Sequence, residues 1–191
     1  MAIREHYTHV PRDLAMKLRD QYKTRVFVET GTYKGQTTLW ADEHFDRVYT
    51  IELSDDLFES FNENIRSLAI NGNIVSCRGD SRDVLRHTDL QNLIQTTLCF
   101  FWLDAHWFHL DTVAGEREDV PLLEELQIIL ETGLPHVILI DDAPLIAKAL
   151  KDRDENYRTW PTYDQIEPLI RDRYKAYYTG NVLVLEPKEG L

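Results

Sequence analysis

Cysteine is scarce in this chain of 191 residues: there are two, Cys77 and Cys99. Both sit in apolar, strand-like stretches and read as reduced core thiols. No CxxC pair and no cysteine–histidine cluster points to zinc. Long hydrophobic runs are also missing. Stretches such as Val137 to Ile140 fall far short of the ~20 residues that cross a bilayer. The opening Met1-Ala2-Ile3-Arg4-Glu5 lacks the apolar core of a secretory signal. Basic residues are outnumbered, 21 Lys and Arg against 33 Asp and Glu, for a net charge of −12. Nucleic acid would require a stripe of positive charge, so it is not an expected partner. No repeat or low-complexity tract divides the chain. The expectation is one cytoplasmic domain, off the membrane, acting on a small molecule. Homo-oligomerisation is left open.

What is present is an alternation of β-rich and helical stretches, the pattern of parallel βαβ units. Residues 1–24 read as a helical extension, with Leu14, Leu18 and Tyr22 at helical spacing, and residues 25–191 as a sheet core. Strands are predicted at Arg25 to Glu29, Arg47 to Ile51, Asn73 to Cys77, Leu98 to Leu103 and His136 to Ile140. The fourth is almost wholly apolar, as a strand covered on both faces must be. Helices are expected from Gln36, after Ser54, around Arg82 to Leu85 and from near Asp119. Residues 143 to 161 read as a short helix plus a mobile loop. Thr162 and Gln165 form a capping box. A hairpin closes the chain, Tyr174 to Tyr178 and Val182 to Glu186 around Thr179-Gly180-Asn181.

Chemistry-bearing residues recur where these strands end, the edge at which open α/β sheets bind ligands. The first strand ends in Glu29-Thr30-Gly31-Thr32-Tyr33-Lys34-Gly35. Gly31 lets the backbone turn and approach a ligand, and Gly35 lets the next helix start close to the strand. No lysine follows the second glycine, which excludes a P-loop. Glu52 closes the second strand, 21 residues after Gly31, where an acid accepts hydrogen bonds from ribose hydroxyls. Asp80 and Ser81 follow the third strand and suit either an adenine edge or a helix cap. Asp104 closes the fourth, and a carboxylate there is a poor packing residue.

This series resembles the class I S-adenosylmethionine-dependent methyltransferases. The resemblance implies an α/β fold: a three-layer, Rossmann-like, seven-stranded and mostly parallel sheet, in the order 3-2-1-4-5-7-6, with the antiparallel hairpin at its C-terminal end. It implies S-adenosylmethionine as cofactor, with Glu29, Thr30, Gly31, Thr32, Tyr33, Gly35, Glu52, Asp80, Ser81 and Asp104 as cofactor-binding residues.

The fifth strand ends in Asp141-Asp142. Beside Asp104 these acids would repel unless something positive lay between them, and Mg²⁺ suits hard oxygen ligands. Asp104, Asp141 and Asp142 are therefore the expected metal ligands. The pattern resembles the cation-dependent O-methyltransferases of the catechol and macrolide-sugar type. The stretches Leu103-Asp104-Ala105-His106, Gly115-Glu116 and Pro121-Leu122-Leu123-Glu124-Glu125-Leu126 resemble a widespread subgroup of the same superfamily. The catechol type carries a lysine base after its first metal aspartate, and no lysine occurs between Asp104 and Pro121. His106 and Asp104 are thus the catalytic candidates, with His109 second as base. Trp107, Phe108 and Trp160 are candidate walls of an acceptor pocket for a small-molecule hydroxyl. The rival readings are a metal-independent methyltransferase, an NAD-type oxidoreductase and a non-catalytic member of the fold.

Overall fold

The computed structural model describes residues 10–67, 72–105, 120–148 and 159–190. Seven strands form one sheet: β1 (Val26–Thr30), β2 (Arg47–Glu52), β3 (Ile74–Arg78), β4 (Cys99–Leu103), β5 (Val137–Ile140), β6 (Tyr174–Thr179) and β7 (Val182–Pro187). Their order is β3-β2-β1-β4-β5-β7-β6. The first five strands are parallel to one another, and β7 runs antiparallel to both β5 and β6. The fold class expected from the sequence is the one observed.

Period-two alternation splits the core into two layers. Val26, Val28, Phe101, Leu103, Ile138 and Ile140 face one layer. Helices α4 (Ser81–Leu85), α5 (Thr88–Thr96), α6 (Leu122–Glu131), α7 (Ala143–Ala147) and α8 (Tyr163–Ile170) supply its apolar partners. Phe27, Phe100, Trp102, Val137 and Leu139 face the other. There α1 (Arg12–Tyr22) contributes Ala15 and Leu18, and α2 (Gln36–Asp42) contributes Trp40 and Ala41. Helix α3 (Asp55–Ser67) starts as the sequence predicts, with the Leu57 N–H 3.4 Å from Ser54 Oγ. The α8 capping box is closed by the Thr162 N–H donating to Gln165 Oε1 at 2.9 Å.

Two elements differ from the sequence-based expectation. Helix α5 was not anticipated, although Leu90, Leu93 and Ile94 stand at helical spacing and Leu90 and Ile94 are buried. Helix α6 begins at Leu122, because Pro121 has no N–H to give and suits a helix entry. Asp119, the polar loop before it and the loop expected after α7 lie wholly or largely outside the described residues. No helix among the described residues is long and apolar enough to cross a membrane.

Candidate functional site

Main-chain hydrogen bonds tie together the exits of the parallel strands. The Gly79 N–H donates to Glu52 O at 2.9 Å, and the Gly31 N–H to Ile51 O at 2.9 Å. The Asp104 N–H donates to Thr30 O at 3.0 Å, and the Asp141 N–H to Leu103 O at 3.1 Å. Each bond carries a strand's register one step past its last residue. The result is a row along one sheet edge, in which Gly79, Glu52, Gly31, Asp104 and Asp141 stand side by side.

The two glycines of the β1 turn serve different contacts. Gly31 has φ +88°, and a Cβ there would lie 2.5 Å from the main-chain oxygen of Asp104. Its close approach is therefore to the exit of β4, whereas the sequence suggested approach to a ligand. Gly35 has φ +74°, and a Cβ there would lie 2.1 Å from the ring of Phe61 on α3. Tyr33, between them, also has positive φ, +48°. That region is uncommon outside glycine and marks a turn over-determined by its surroundings.

Glu29 points inward. Thr38 and Thr50 hydroxyls donate to its Oε2, the latter at 2.8 Å, and Thr32 Oγ1 lies 2.6 Å from Thr50 Oγ1. Burial pushes the Glu29 carboxyl up to about 7, against the lowering effect of the two hydroxyls. Glu52 grips the backbone on both sides of the turn. Its Oε2 accepts from the Tyr33 N–H at 2.8 Å and its Oε1 from the Ser54 N–H at 2.9 Å. Burial raises the Glu52 pKa as well. Thr30 and Thr32 are buried, Thr32 against Thr50 and Thr30 beside Glu125 of α6.

Asp80 caps α4: its Oδ1 accepts from the Arg82 N–H at 3.0 Å. It also holds the Arg82 guanidinium, with Nε–Oδ1 at 2.8 Å and Nη2–Oδ2 at 2.6 Å. Ser81 is buried beside Glu125 of α6, a residue to which the sequence alone assigns no role. Burial pushes the Glu125 carboxyl up to about 7, while the Ser81 and Thr30 hydroxyls draw it down. Among the described residues its Oε1 has no hydrogen-bond partner. The available signal was position: Glu125 interrupts the apolar stripe Leu122, Leu126 and Ile129 at helical spacing.

Asp104, Asp141 and Glu125 line one cavity of about 10 Å³, with Trp160 in its wall, room for about one water. Asp141 and Asp142 share a donor that sequence reasoning missed. Asn181 Nδ2 lies 3.0 Å from an oxygen of each. No sequence signal marked Asn181 beyond its place in a turn. Among the described residues no group of three His, Cys, Asp or Glu side chains is close enough to hold a metal. His106, Trp107, Phe108 and His109 lie outside the described residues. Beyond Val120, Arg82, Arg86 and Glu124 help to wall a second cavity of about 240 Å³.

No family model and no curated protein sequence matches the chain. Solved structures do. The O-methyltransferase TomG of Streptomyces achromogenes, in complex with S-adenosylmethionine, is 17% identical with a TM-score of 0.65, covering 95% of this chain and 82% of that one. An O-methyltransferase of Bacillus cereus bound to S-adenosylhomocysteine is 18% identical with a TM-score of 0.64, covering 95% and 83%. A precorrin 8w decarboxylase of Methanobacterium thermoautotrophicum is 15% identical with a TM-score of 0.51, covering 92% and 89%. Fold alone does not choose among chemistries. What the sheet order, the terminal hairpin and these likenesses establish together is that the chain has the fold of the class I S-adenosylmethionine-dependent methyltransferases.

Proposed function

We propose that this chain transfers the methyl group of S-adenosylmethionine to a hydroxyl of a small molecule, assisted by a divalent cation such as Mg²⁺. One observation carries the reading. The buried acids among the described residues are Glu29, Glu52, Glu125 and Asp141, at 1, 7, 1 and 2% exposure. All four stand at the carboxyl edge of the parallel strands. Burying carboxylates is costly, and this fold places its ligand at that edge. The donor's sulfonium is a cation, so an acid-rich edge attracts it. The solved neighbours support the choice of donor, since two of them hold S-adenosylmethionine or S-adenosylhomocysteine.

In this reading the Gly31 turn and Glu52 hold the donor, with Asp80 and Ser81 at its adenine. Methyl transfer is an in-line displacement, and orienting nucleophile, methyl and sulfur supplies up to ~7–11 kcal/mol. Residues fixed by backbone bonds, as Glu52 is, suit that task. Asp104, Asp141 and Asp142 would hold the cation. Their oxygens are the hard donors that Mg²⁺ takes, usually one or two carboxylates plus waters. Asp104 and Asp141 lining one cavity fit that requirement without a three-acid cage. When bound there, a divalent cation would supply polarisation of the acceptor oxygen. His106 is the residue that would take the proton.

Calorimetry with S-adenosylmethionine tests the donor. The intact chain should bind it and Glu52→Ala should weaken binding; no binding by the intact chain removes the claim. Turnover of an accepted hydroxyl should stop with EDTA and return with Mg²⁺. Turnover that ignores EDTA would remove the cation and leave the methyl transfer.

A further inference from the structure

We propose that Glu125, on α6, reads the adenine of the methyl donor, its Oε1 accepting a hydrogen bond from the exocyclic amine. This rests on the reading above that S-adenosylmethionine is the donor and that Ser81 stands at its adenine. Asp80, which the sequence offered for the adenine edge, is engaged elsewhere. Its Oδ1 accepts from the Arg82 N–H at 3.0 Å and from Arg82 Nε at 2.8 Å, and its Oδ2 from Nη2 at 2.6 Å. Turning it to a ligand would break both the ion pair and the cap of α4. An acceptor for the amine must therefore come from another residue near Ser81.

Glu125 is that residue. The hydroxyls of Ser81, after β3, and Thr30, at the end of β1, lie near enough to its carboxyl to stabilise the charged form. It also lines the small cavity at the exits of β4 and β5, beside Leu103 and Ile140. Its carboxyl therefore lies at the ligand edge of the sheet. Its side chain is buried, at 1% exposure, much as Glu52 and Ser81 are at 7 and 6%. Among the described residues its Oε1 has no hydrogen-bond partner. Leaving a buried acceptor unmet costs the full desolvation of that group. The same helix buries Leu122, Leu126 and Ile129, so packing alone would be served by another apolar side chain. An oxygen kept there without a partner calls for a hydrogen-bond donor from a bound molecule. An exocyclic amine supplies one without adding charge.

The test is calorimetry on the full chain with two probes, S-adenosylhomocysteine and S-inosylhomocysteine. The second carries a carbonyl oxygen where the first has the amine. Burial pushes the Glu125 pKa up to about 7, so the titrations are run at about pH 8, where an ionised carboxylate can only accept. The intact chain should prefer the adenosyl compound by ~10–100-fold, the range of a hydrogen bond to a charged group. Glu125→Met keeps the length of the side chain and removes the acceptor. It should weaken the adenosyl compound and bring the two affinities together. An intact chain that binds both alike, as it would if Oε1 met only water, overturns the proposal. So does a methionine variant that keeps the preference or loses affinity for both probes equally. Glu125→Gln is isosteric and carries the test if the methionine variant does not fold. Its amide can turn an N–H toward the carbonyl oxygen, so the inosyl compound should gain affinity; an undiminished preference overturns the proposal. If the intact chain binds neither probe, this proposal falls together with the donor part of the proposed function. If it binds both without discrimination, this proposal falls alone.

Discussion

Gly31 and Gly35 share a loop and a positive φ, yet alanine at each should fail for different reasons that a second mutation can separate. Left-handed backbone costs a non-glycine residue roughly 1–2 kcal/mol, and overpacking adds about 1–3 kcal/mol. At Gly35 the added Cβ would meet the Phe61 ring, 2.1 Å from Cε2. Gly35→Ala should therefore cost about 2–5 kcal/mol, and Phe61→Leu should return the overpacking part. The double variant should show about 1–3 kcal/mol of favourable coupling, the range expected for residues in contact. At Gly31 the added Cβ would meet main-chain atoms of Asp104, at 2.5 Å from the oxygen and 2.9 Å from the carbon. No side-chain truncation removes those atoms. Moving them strains the bond from the Asp104 N–H to Thr30 O, 3.0 Å long. Gly31→Ala and Phe61→Leu should therefore add without coupling. Equilibrium unfolding in urea across the two cycles measures both. Additivity in the Gly35 cycle, or rescue of Gly31→Ala by Phe61→Leu, would refute this account of the turn.

Two pH effects should oppose each other. His136 is buried, accepts from the Cys99 N–H at 3.1 Å, and has its pKa lowered from 6.5 to about 4 by burial. The unfolded chain binds this proton more tightly, so stability should rise with pH from about 4 to 6.5. The full difference is about 3 kcal/mol. His136→Gln should flatten that limb in urea titrations, and an unchanged slope would count against the buried neutral histidine. Glu29 has the reverse sign. Its folded pKa of about 7 lies above the ordinary 4.5, so the folded chain holds the proton and stability should fall as pH rises through that window. Glu29→Gln should gain on the intact chain between pH 5 and pH 8; a gap that stays constant would show that Glu29 is already ionised.

The sheet was legible because burial on both faces leaves a strong trace. Leu98 to Leu103 has no polar position to spare, and the switch from βαβ units to Tyr174–Glu186 shows where the antiparallel hairpin begins. Helix α5 was missed because it is short and its apolar face is only Leu90, Leu93 and Ile94. At the site, strand order turned scattered acids into one edge, and that much was readable from the spacing of Glu52, Asp104 and Asp141. The contacts of each acid were not. Glu52 reaches the Tyr33 and Ser54 N–H groups because the turn folds back over β2. Gly31 answers to Asp104 across the sheet. Ser54 is two residues from Glu52, but Tyr33 and Asp104 are distant in sequence from the residues they meet, and only the packed structure brings them close.

The donors that satisfy this edge bear on what it can bind. Glu29 is held by two threonine hydroxyls, Glu52 by two backbone N–H groups, and Asp141 and Asp142 share an asparagine amide. Neutral donors lower the desolvation penalty of a buried acid without cancelling its charge. Asp80 differs, since Arg82 meets it with two hydrogen bonds and neutralises it. Asp80 caps α4, so the ion pair secures the helix start. At Glu52 the backbone bonds leave the charge uncancelled beside the Gly31 turn. A site for a neutral ligand could have met the same packing needs with glutamine or asparagine at less desolvation cost. Keeping an acid at Glu52 and holding it by backbone N–H groups is a costly arrangement that suits the cationic donor of the proposed reaction.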